Sequence, residues 1–140
     1  MKPFQIILIL SLCIHCLAKG QEADSVKYFA LSPYDFERLC LVEQNGFFAD
    51  VREKSEYRKF RIKDFINIPA SGNIDITIDS VDKNRPVFLY CETNSRSVWV
   101  AKRFVDKGFS QVYYLDGGIN EWKKDNYPID KKRIWKKKKT

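Results

Sequence analysis

Residues 86–98 read Pro86-Val87-Phe88-Leu89-Tyr90-Cys91-Glu92-Thr93-Asn94-Ser95-Arg96-Ser97-Val98. The stretch from Pro86 to Tyr90 carries no charge and is rich in β-branched and aromatic residues, the pattern of a strand buried on both faces. It runs straight into a cysteine. A turn follows from Cys91 to Arg96, and helical spacing begins near Ser97. Val98, Ala101, Phe104 and Val105 make one apolar face of that helix, and Gly108 ends it. Strand, turn and helix in this order form the unit of an α/β sheet, whose ligand sites lie outside the carboxyl ends of the strands.

That placement gives the turn its chemistry. Loop amides and a helix N-terminus both favour negative charge. A cysteine held there favours its thiolate form without help from a histidine. Arg96 adds a fixed positive charge able to grip an anion, and Ser97 is placed to cap the helix. Glu92, next to the cysteine, works against both thiolate and anion. A cysteine–arginine anion loop serves two chemistries: phosphoryl transfer by cysteine phosphatases and sulfur transfer through a persulfide. The alternative without chemistry is a cysteine buried at a strand end.

The same alternation extends in both directions. Val26 to Phe29 is a short strand. Ser32-Pro33-Tyr34-Asp35 starts a helix, with Ser as N-cap, Pro in the first turn and an acid three residues on; Gly46 closes it. Phe47 to Val51 is a buried strand, and Ser55 to Tyr57 a helical turn. Phe65 to Pro69 is another strand. Ser71 to Asn84 is polar and irregular, and the alternation of Ile74, Ile76 and Ile78 suggests extended chain or a loop against the core. Val112 to Leu115 forms the last strand, Asp116-Gly117-Gly118 a turn, and Ile119 to Asp125 a final helix with Trp122 packed in the core. The expected fold is α/β, a mostly parallel central sheet flanked by helices in three layers. Asp50 and Arg52, at a strand end, are read first as an ion-paired scaffold.

Composition narrows the chemistry further. The only histidine is His15. It lies within residues 1–20, where Lys2, an apolar run and Ala18-Lys19-Gly20 read as a cleaved secretory signal. An exported, periplasmic location follows, with a lipoprotein as the weaker alternative. Without His15, a Ser-His-Asp triad, a Cys-His dyad and a histidine-ligated zinc are excluded, and no metal or cofactor is expected. Cys13 and Cys16 fall inside the signal as a chance C-x-x-C. Cys40 reads as a small buried hydrophobe on the first helix, apart from Cys91. The net charge is +7, yet residues 21–130 hold 16 basic against 18 acidic residues. The excess sits at the ends, above all in the Lys-rich tail 131–140. A nucleic-acid-binding body is therefore disfavoured, whereas the solvated tail could touch an anionic membrane surface. A monomer of one domain, residues 21–130, is expected.

Taken together, the motifs of residues 26–129 resemble those of single-domain rhodaneses. Asp50-Val51-Arg52-Glu53 resembles the first signature of that family. Ile62 with Ile66-Asn67-Ile68-Pro69 resembles the second. Tyr90-Cys91 with Arg96-Ser97 resembles the active-site loop. Gly108-Phe109, then Leu115-Asp116-Gly117-Gly118-Ile119 and Trp122, resemble the closing signature. The resemblance implies a persulfide on Cys91, cradled by the loop residues Glu92, Thr93, Asn94, Ser95, Arg96 and Ser97, with Asp50 and Arg52 near the site. It implies a donor such as thiosulfate and an acceptor such as cyanide or a thiol. The four residues between Cys91 and Arg96 fit sulfur transfer, since related phosphatases have five. A sulfur-binding or partner-docking module with little turnover is the second reading. Departures are plain. Phe60-Arg61 stands where the family has Gly-His, and Asp64-Phe65 where it has Gly-Ala. Asn94 stands where Gly is common, a position that Asn fills as the next best residue for left-handed angles.

Overall fold

A computed structural model describes residues 28–131. Residues 1–20, read as a signal and holding Cys13, His15 and Cys16, the residues Val26 and Lys27, and residues 132–140 of the segment read as tail lie outside the described residues.

Five parallel strands form the central sheet: β1 (Tyr28–Leu31), β2 (Phe47–Asp50), β4 (Ile66–Asn67), β5 (Val87–Tyr90) and β6 (Val112–Leu115), in the order β1-β6-β5-β2-β4. Strand β5 is central and buried throughout, as its uncharged run requires. Its alternation separates two cores. Val87, Leu89 and Cys91 join Val100, Ala101 and Phe104 of α4 (Ser95–Asp106) and Ile74 and Ile78 of α3 (Ile74–Ser80). Phe88 and Tyr90 join Phe36 of α1 (Pro33–Val42) and Ile119 and Trp122 of α5 (Gly118–Lys124) on the opposite face. The three layers expected from the sequence are present.

Helix α1 starts as its sequence dictates. Ser32 Oγ accepts from the Asp35 amide at 3.2 Å, and Pro33 occupies the first turn. The helix ends at Glu43, before Gly46. The reading of Ile74, Ile76 and Ile78 as extended chain or loop is wrong. These residues lie on helix α3, which buries Ile74 and Ile78, one turn apart, and exposes Ile76. Three β-branched residues favour strand locally. The i, i+4 pair of isoleucines against the core wins, helped by ion pairs from Asp75 to Arg103 and from Asp79 to Lys107. Helix α4 begins two residues earlier than expected, and its N-cap is Asn94, so Ser97 is not the cap. A small antiparallel pair, β3 (Phe60–Arg61) with β7 (Asp130–Lys131), has no signal in the sequence. It carries the last described strand one residue into the segment read as tail.

At the end of β2, Asp50 and Arg52 are an ion pair with almost no exposure. Arg52 Nε and Nη2 meet the carboxylate at 2.7–3.1 Å, and Nη2 also donates to the Phe60 carbonyl at 2.7 Å. The guanidinium lies between the rings of Phe60 and Tyr90, at 5.0 and 5.5 Å. Phe60 thus takes part in holding Arg52. Asp64 adopts φ 66°, a left-handed angle at a position where the family resemblance leads one to expect glycine. Phe65 packs against Phe36 and Tyr90, at 5.9 and 5.1 Å between ring centroids.

Because the pair is dry, losing one partner strands the other. Arg52→Ala should cost about 3–5 kcal/mol, whereas replacing both residues with apolar ones of similar size should restore most of the loss. Denaturant unfolding of the single and double variants checks this.

Candidate active site

Cys91 follows the last residue of β5 and is 1% exposed. Its side chain faces α4, by the alternation of the strand. Sγ lies 3.4 Å from Ser97 Oγ, and Ser97 Oγ donates to the Asn94 carbonyl at 3.0 Å. A hydroxyl has one proton and can also accept. Ser97 can therefore accept from a thiol while donating to Asn94, or turn its proton toward an anionic sulfur. Its full burial serves this contact.

The loop is held from behind. The carbonyl of Cys91 accepts from the Ile119 amide at 2.9 Å, and that of Glu92 from the Asn120 amide at 3.2 Å. The amides from Glu92 to Ser97 donate to no protein acceptor among the described residues. Carbonyls are thus tied to α5, while amides and the N-terminus of the 12-residue helix α4 stay available. Asn94 braces the same junction. Its Oδ1 accepts from the Gly117 amide, and its Nδ2 donates to Asp116, both at 2.8 Å. Its φ of −124° is not left-handed, so the expected role of Asn94 as a glycine substitute gives way to this brace. Glu92 and Thr93 on the loop, and Ser95 at the first position of α4, are exposed.

Arg96 is engaged on the protein itself. Nη1 and Nη2 reach the Glu56 carboxylate at 2.6 and 3.0 Å, and Glu92 stands 3.8 Å from Nη2. Glu56 lies on α2 (Lys54–Lys59), where it also caps the helix through Glu53 N at 2.9 Å. Hydrogen bonding to Arg96 lowers the Glu56 carboxyl to about 2. The charge that the sequence reserved for the donor is largely spent on Glu56. That partner was missed; its only sequence signal was an acid in the helical turn after Asp50-Val51-Arg52. Asp50 and Arg52 frame the end of the neighbouring strand, and none of their hydrogen bonds reaches the loop.

Cys40 lies on the other face of the sheet. It lines an apolar groove of about 800 Å³ with Phe36, Phe48, Phe65 and Trp122, and burial pushes its thiol up to about 12. Both described cysteines are free, and the sheet separates them.

Residues 34–125 match the rhodanese-like domain family. The thiosulfate sulfurtransferase GlpE of Coxiella burnetii is 33% identical over 75 residues, 54% of this chain and 69% of that protein. A sulfurtransferase of Allochromatium vinosum is 30% identical over 80 residues, 57% of this chain and 74% of that protein. The solution structure of the rhodanese-like domain from an Anabaena protein shares the fold, with a TM-score of 0.65 and 22% identity, covering 79% of this chain and 87% of that one.

Two outcomes test this geometry. A Cβ on Gly118, whose φ is +60°, would stand 2.3 Å from the Thr93 carbonyl oxygen and 2.6 Å from that of Cys91. Gly118→Ala should therefore destabilise the protein by about 2–4 kcal/mol, read by denaturant unfolding, because backbone must move. The Glu56 clasp should contribute fully above the ordinary carboxyl value of 4.5 and fade as pH falls toward about 2. The difference in Tm between the parent and Glu56→Gln should shrink across that window.

Proposed function

We propose that this chain, which belongs to the rhodanese-like domain family, transfers a sulfane sulfur from a donor to a thiophilic acceptor through a persulfide on Cys91. Rhodanese-type sulfur transfer is the chemistry of the family and of its named relatives. The observation that carries the finer reading is the loop itself. A buried cysteine sits at its base, its carbonyls are tied behind it, and its amides point to no protein acceptor.

The Cys91 thiolate attacks the outer sulfur of the donor. A sulfur–sulfur bond forms to Cys91, the donor's own sulfur–sulfur bond breaks, and the electron pair leaves with sulfite when the donor is thiosulfate. The loop amides and the α4 N-terminus stabilise the terminal persulfide sulfur. The Ser97 hydroxyl is 3.4 Å from Sγ and can donate to it once it is anionic. Cyanide or a thiol then takes the terminal sulfur and returns the Cys91 thiolate. Arg96 acts mainly by fixing α4 and the end of the loop to α2 through Glu56. The four residues between Cys91 and Arg96 support sulfur over the larger phosphoryl group. Residues 1–20 support export to the periplasm.

Treatment with thiosulfate should add about 32 Da, one sulfur atom, to the intact protein. Cyanide should remove it with release of thiocyanate. Cys91→Ser should abolish both gain and turnover, while Cys40→Ala should retain them. The same mass spectrum of protein recovered from the periplasm reports whether residues 1–20 have been cleaved.

A further inference from the structure

The acidic residue beside Cys91 shares its counter-charge: Arg96 stands between two carboxylates, Glu56 and Glu92, and lies closer to Glu56. Arg96 and Glu56 neutralise one another at 2.6 and 3.0 Å. Glu92 is half exposed and stays at 3.8 Å from Arg96, beyond hydrogen-bond distance. Cys91 is almost fully buried, so the outer sulfur of a donor must enter first. The rest of the donor stays outside, next to a loop on which Glu92 is exposed and against which Asp116, bonded to Asn94, adds a second carboxylate. A doubly charged donor meets this surplus at close range. A donor with an ammonium group about four bonds from its sulfane sulfur meets a counter-charge instead.

We propose that Glu92 sets donor choice, and that the site prefers an amine-bearing sulfane-sulfur donor, an aminoalkyl persulfide or thiosulfonate, over a dianion such as thiosulfate. This inference rests on Cys91 being the sulfur acceptor. The step is balanced as before: the Cys91 thiolate takes the outer sulfur, the donor S–S bond breaks, and a thiolate or sulfinate leaves with the electron pair. The loop amides hold the single negative charge of the sulfane sulfur, and Glu92 faces the ammonium.

A charge series of one chemistry tests it with the full chain: thiosulfate (dianion), methanethiosulfonate (monoanion) and 2-aminoethanethiosulfonate (zwitterion). Loading of Cys91 is read by intact mass, and kcat/KM with cyanide as acceptor. At low salt kcat/KM should rise along the series. The aminoethyl donor should exceed the methyl donor by about tenfold, a ratio that falls toward one in high salt. Glu92→Gln should reduce that ratio several-fold and raise kcat/KM for thiosulfate several-fold. The native protein's own series decides the matter even if the variant folds poorly. If the aminoethyl and methyl donors are equal at low salt, or the ratio is unchanged in a folded Glu92→Gln, the inference is overturned while sulfur transfer by Cys91 stands. If none of the three donors loads Cys91, the sulfur-transfer reading falls, and this inference with it.

Discussion

The backbone contact between Gly118 and the loop after β5 governs the site. The first turn of α5 comes so close that only a hydrogen fits between Gly118 and the carbonyls of Cys91 and Thr93. That approach lets the Ile119 and Asn120 amides hold the loop carbonyls. With its carbonyls held behind, the loop leaves its amides for a ligand. A peptide group is a rigid dipole, so orienting one end orients the other. The geometry of the loop around Cys91 thus depends on a glycine 27 residues further on.

Much of this was legible in the chain because it was written locally. A strand buried on both faces, a cysteine at its end and a helical face after a turn lie within one short window. The Ser32-Pro33 start of α1 and the Asp116-Gly117-Gly118 turn are likewise set by neighbours in sequence. What was not legible depends on distant partners. Glu56 and Arg96 are 40 residues apart, and no local pattern couples them. Ser97 fits any rule for a helix cap, but with Asn94 as N-cap it falls one turn deeper and meets Sγ instead. The isoleucines of α3 follow strand propensity, and only the core beneath them selects a helix. Asn94 misled because its side chain, not its backbone angle, is what the site uses.

The departures at residues 60–65 show how the fold absorbs change beneath a site. Phe60 offers its ring and carbonyl to Arg52. Asp64 tolerates a left-handed angle that a β-branched residue would resist. Phe65 fills its space in an aromatic cluster with Phe36, Phe48 and Tyr90. Tyr90 receives the Ile62 amide on its hydroxyl at 3.0 Å, and burial holds that hydroxyl protonated. These contacts reach β5 from the face opposite Cys91, so they fix the strand without entering the loop.

The closure of the loop by α5 also has a timetable. Synthesis runs from the N-terminus, so residues 91–97 leave the ribosome before Asp116 to Asn120 exist to close around them. In that interval Cys91 is a thiol without walls, more open to oxidants than in the folded chain, where it is 1% exposed. Its protection is a property of the finished chain. A nascent or truncated product ending before Gly118 has Cys91 but neither the tethered carbonyls nor the shielding that go with it.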